Sequence, residues 1–184
     1  MWFQKNLFGI FIGWFVIMIA LSFVLGSDGK KLPTEPVLQT LESSELYFRN
    51  IRSNSYYLRT GTPKDVDIYQ LKSFEVDSSS RTLVPLIVNN WRHNLAYIQL
   101  EPNFESDSYS LIFKSENETD TLTESFPQRV EQFRLAIRIY NAIELEQDVF
   151  LLVDGELQPL FHGEERKKRF GIVLKDYFRL VNVL

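Results

Sequence analysis

Residues 149–170 read VFLLVDGELQPLFHGEERKKRF, and local rules divide this stretch into strand, turn, strand and helix. Val149 to Val153 is continuously apolar, as a buried strand is. Asp154-Gly155 is the strongest short hairpin signal in the chain, so Glu156 to Phe161 is predicted to return antiparallel. Glu164 and Glu165 then stand where acids complement the positive end of a helix. Phe170, Val173, Leu174, Tyr177 and Val181 follow at steps of three and four, which predicts an amphipathic helix reaching the C-terminus.

Upstream of the hairpin the period is also helical. Ser125 and Gln128 form a capping-box pattern, and Pro127 suits a first turn. Val130, Phe133, Ile137 and Tyr140 place one apolar face on a helix predicted over Phe126 to Leu145. Further upstream, β-branched and aromatic residues come in short runs separated by turn residues. Strands are predicted over Leu46 to Ile51, Tyr56 to Arg59, Val66 to Phe74, Leu83 to Val88 and Leu95 to Glu101. Pro85 cannot donate to a ladder and assigns its strand to an edge or a bulge. Tyr109, Leu111 and Phe113 alternate with polar residues, as on a half-buried strand. Strands, then a helix, a hairpin and a last helix are the order of an α+β domain with two amphipathic helices on a mainly antiparallel sheet.

The amino-terminal region has a different character. From Leu7 to Leu25 no residue is charged. At about 1.5 Å per residue this run spans roughly 28 Å, close to the hydrocarbon thickness of a bilayer. The expectation is a single transmembrane signal-anchor helix over residues 1–26, a Gly/Pro-containing linker over 27–40, and a soluble domain over 41–184. A cleaved signal peptide is the competing reading, but its apolar core is usually shorter. Gly9, Gly13 and Trp14 mark a stripe where another membrane helix can dock. Lys5 before the run balances Lys30 and Lys31 after it, and the chain has no cysteine. A single-pass protein of the inner membrane with its domain on the periplasmic side fits these features.

Composition excludes several classes of function. Among 184 residues there are two His and no Cys, so thiolate zinc sites, disulfides and cysteine nucleophiles are ruled out. A net charge of -4 opposes nucleic-acid binding. No glycine loop suited to a nucleotide phosphate and no G-x-S-x-G elbow occurs. His93 and His162 lie in turns without a second metal-spaced ligand. Neither a catalytic residue nor a cofactor is therefore assigned.

Two surface features remain as candidate partner contacts. Trp91, Arg92 and His93 sit in a turn, and Trp and Arg are the residues from which interface hot spots are built. Arg166, Lys167, Lys168 and Arg169 form a basic run that suits acidic headgroups or an acidic protein, or pairs with Glu164 and Glu165 one turn away. The sequence reads as a non-catalytic membrane subunit or assembly component of a larger complex, with other integral membrane proteins and the lipid bilayer as partners. One alternative is a membrane-tethered module binding a lipid, peptide or glycan in a groove between sheet and terminal helix. Another is a tethered hydrolase using paired carboxylates.

Overall fold

The computed structural model describes residues 32–33, 35–60, 62–74, 80–106, 108–114, 119–124 and 128–184. Among these residues the architecture is α+β, with two four-stranded antiparallel sheets and three helices. The first sheet has the order β1 (Tyr56–Leu58), β2 (Asp67–Leu71), β3 (Leu83–Asn90), β4 (Leu95–Pro102). In the second, β6 (Thr119–Glu124) and β7 (Asp148–Val153) flank β5 (Tyr109–Lys114), and β8 (Glu156–Pro159) is outermost beside β7. Helix α1 spans Glu42–Tyr47, α2 Arg129–Glu144 and α3 Glu164–Leu180.

This corrects the expected architecture, which was a spanning helix followed by one sheet and two helices. Among the described residues, no helix is long and apolar enough to cross a membrane. The helix expected over residues 1–26 lies outside the described residues. The strands, moreover, divide into two sheets, because β5 pairs with β6 and β7 and none of these pairs with β1 to β4. The third correction concerns Leu46 to Ile51, expected as a strand. The chain instead forms α1 and runs on through a π-helical turn at Phe48–Arg52 and a 3-10 turn at Ser53–Ser55. Ser44, Phe48 and Arg52 face inward at steps of four while Leu46, Tyr47 and Ile51 are exposed, so the spacing that governs burial is helical.

Pro85 shows why its strand need not be an edge. β3 is interior, paired with both β2 and β4. The last β2–β3 pair is Gln70 with Leu86, so Pro85 stands one position beyond it and leaves no rung of that ladder empty. Strand β6 had no predicted counterpart. The Asp154-Gly155 turn closes the β7–β8 hairpin with φ of 53° and 82°, the left-handed pair that a two-residue turn of this kind needs.

Helix α3 packs on the β3–β4 part of the first sheet, and α2 touches α3, β4 and β7. The register Tyr69–Ile87–Ile98 puts these three side chains on one sheet face. Phe170, Val173, Leu174, Tyr177 and Val181, the predicted apolar face of α3, are all buried. Phe178 joins them, with ring centroids 6.1 Å from Phe133 and 5.4 Å from Tyr140 in edge-to-face geometry.

Candidate functional site

Large apolar side chains left in water are the observation from which a site can be built, because most such groups in this domain are buried. Of nine exposed ones among the described residues, Leu41 precedes α1, and Leu46, Tyr47, Ile51, Tyr57 and Leu58 fall on α1, the π-helical turn and β1. Trp91, 39% exposed, is brought to the same segment by Arg49, whose guanidinium lies 5.9 Å from the indole ring. The helical spacing of residues 44 to 52 turns Phe48 into the core and leaves its flanking apolar residues outside.

A buried ion pair holds this face in place. Asp176 on α3 is only 3% exposed, and an unpaired carboxylate there would be costly. Arg52, the last residue of the π-helical turn, donates from Nε to Oδ1 at 2.9 Å and from Nη2 to Oδ2 at 2.7 Å. The Tyr56 hydroxyl donates to Oδ2 at 2.7 Å. The hydrogen bond from Arg52 to Asp176 raises the guanidinium pKa further. Burial first, and the Asp176 charge second, push the Tyr56 phenol far above its ordinary value. Residues more than a hundred positions apart thus pin the π-helical turn and β1 to the last helix, and the exposed face is carried by an anchored segment. Phe48, Tyr56 and Tyr69 add a ring cluster beneath it, with centroid separations of 5.1 to 6.4 Å.

The sequence-derived candidates are placed as follows. Gly9, Gly13 and Trp14 lie outside the described residues. Trp91 joins the apolar face through Arg49. Arg92 pairs with Asp65 at 2.8 Å, and His93 is exposed in the turn with its N–H bonded to the Asn90 carbonyl. Arg166 donates to Ser80 Oγ at 3.0 Å. Arg169 pairs with Glu165 at 3.4 Å and donates to the Ser73 carbonyl. Lys167 is half-buried and Lys168 exposed. The two arginines of the basic run are therefore engaged within the domain, while the run lies on α3 and the Trp91 turn joins β3 to β4. Sequence reasoning missed Arg52, Tyr56 and Asp176, and no local pattern marks a pair separated by 124 positions.

The groove expected between the sheet and the terminal helix is filled, since Tyr177 and Phe178 are completely buried there. A cavity of about 620 Å³ opens elsewhere, between β4, the β4–β5 connection and the first turn of α2. Glu101 is the one carboxylate among the described residues lining it, and Arg59 holds that group at 2.7 Å. Among the described residues the two facing acids that glycoside hydrolysis uses do not line this cavity. Among the described residues no group of three or more His, Asp or Glu is placed to hold a metal ion. The chain matches no protein-family model, no curated protein and no solved structure, so the functional reading has to come from its own residues.

Proposed function

We propose that this protein is a non-catalytic subunit or assembly component of a larger complex at the inner membrane, and that it docks a protein partner on the anchored segment that exposes Leu46, Tyr47, Ile51 and Leu58, with Trp91 beside it. The observation that carries the proposal is the concentration of exposed apolar side chains on one anchored segment. Each such side chain gains about 1.5–3 kcal/mol when fully removed from water, and rigid aromatic anchors lose little entropy in doing so. Arg49 over Trp91 adds the residue pair most enriched among interface hot spots. The apolar composition of residues 7–25 and the absence of cysteine support the membrane location and a domain on the periplasmic side.

The test uses the full chain purified in mild detergent, with the mass of the protein component measured by light scattering. A stable complex is expected, larger than the 21.6 kDa chain. The double variant Tyr47→Glu with Ile51→Glu releases the partner and leaves far-UV circular dichroism unchanged. A monomeric wild-type chain, or a complex indifferent to both substitutions, overturns the proposal.

A further inference from the structure

The cavity at the β4 edge has walls of Tyr97, Leu100, Pro102, Phe104 and Tyr109, with Arg129 of α2 at its rim. Its volume of about 620 Å³ falls within the range of small-molecule sites. Charge is distributed unevenly around it. Glu101 is neutralised by Arg59. Arg129 stacks on the Tyr97 ring at 4.3 Å, and no carboxylate among the described residues lies within 4.0 Å of its guanidinium. Stacking orients the plane of the group and leaves its N–H edge available to an anion.

The strand edge decides what kind of molecule fits. Ala96 N–H already donates to the Leu38 carbonyl at 2.8 Å, and Leu100 N–H to Gln132 Oε1 at 3.0 Å. Pro102 has no N–H, which leaves Ile98 as the one N–H of this edge between them without such an acceptor among the described residues. A peptide strand adding to β4 would find its donors at Ala96 and Leu100 already taken and none at Pro102, so most of the usual gain of strand addition is missing. An apolar chain needs no such donors. We infer that the cavity binds a long-chain fatty acid, with the hydrocarbon against the half-buried Pro102 and Phe104 and the carboxylate on Arg129. This site is separate from the docking face and does not depend on it.

The experiment is photolabelling of the full chain, in nanodiscs of zwitterionic lipid, with palmitate carrying a diazirine near its methyl end. Adducts are mapped by mass spectrometry. Labelling is expected to concentrate on residues 97–109, to be displaced by unlabelled palmitate, and to disappear in Gln99→Trp, which fills the groove from an exposed position. The methyl ester should label about tenfold more weakly, as should Arg129→Glu, because the charge-assisted bonds are lost. The ester comparison leaves the protein untouched and so stands even if the variant fails to fold. Equal labelling by acid and ester, labelling scattered over the domain, or preferential displacement by an extended peptide or by a lysophosphatidate overturns the assignment.

Discussion

Arg52→Met removes the guanidinium that neutralises Asp176 while keeping the length of the side chain. The carboxylate is 3% exposed and would retain the Tyr56 hydroxyl alone, having lost contacts of 2.7 to 3.0 Å. Breaking a buried pair from one side costs about 3–5 kcal/mol, because a desolvated charge is left behind. The Arg52 side chain is 28% exposed, so water reaches part of the site and the lower end applies, about 3 kcal/mol. For a domain of this size that is a fall in Tm of roughly 6–12 °C. The reverse change, Asp176→Leu, is expected to cost less, about 2 kcal/mol, because the released guanidinium can swing to solvent while only the Tyr56 hydroxyl is orphaned. The double variant should then be no worse than the milder single one, which gives a coupling energy of about 3 kcal/mol. Thermal melts and urea titrations of the full chain measure all four corners of the cycle. A melting temperature for Arg52→Met within about 2 °C of wild type, or strict additivity in the double variant, would refute the claim that this pair anchors the π-helical turn.

Alkaline conditions should unfold the domain through its buried phenols. Tyr69, lifted chiefly by burial and then by Asp67, has a pKa pushed up to about 12, and Tyr56 and Tyr177 are raised still further by burial. A raised folded pKa stabilises the native state fully below the ordinary value near 10 and loses that contribution as pH climbs toward the folded value. Stability should therefore be flat up to about pH 9.5 and fall between about 10 and 12, with the phenolate absorbance at 295 nm appearing together with unfolding. Stepwise ionisation of Tyr56 in a folded domain would contradict this. Phe178→Ala, a completely buried ring packed on Phe133, Tyr140 and Tyr177, should cost about 3–5 kcal/mol by calorimetry. A loss below about 1 kcal/mol would mean the sheet–helix interface is not the core.

Elements with a strong local period were readable from the sequence. α3 buries the very residues whose spacing predicted it, and the β7–β8 hairpin turns where Asp154-Gly155 says it should. α2 starts at Arg129, and the residues of its expected cap, 125–127, are outside the described ones. Legibility failed where two periods compete over a few residues. Leu46-Tyr47-Phe48 has the composition of a strand, yet the spacing from Ser44 through Phe48 to Arg52 governs which side is buried. It failed also for β6, whose Thr119, Asp120 and Thr121 are exposed and supply no apolar alternation to see. Of the candidate contacts, Trp91 could be singled out because an aromatic ring in a polar turn is locally conspicuous. Its neighbours on the exposed face could not, since they look like ordinary core residues in one dimension.

By itself the sequence determined the α+β class, the amphipathic faces of the two long helices, the hairpin turn and the poverty of groups for thiol, metal or nucleotide chemistry. These are local or compositional properties, set by side-chain period, by the φ values that Asp and Gly tolerate, and by the inventory of functional groups. Tertiary structure alone decided that the strands divide into two sheets, that Pro85 sits on an interior strand one position beyond its last pair with β2, and that Arg52 and Tyr56 converge on Asp176. It also decided which apolar residues stay in water and where the cavity opens. Those outcomes depend on how distant segments exclude water from one another. Burial is a property of the packed chain, and no stretch of residues carries it alone.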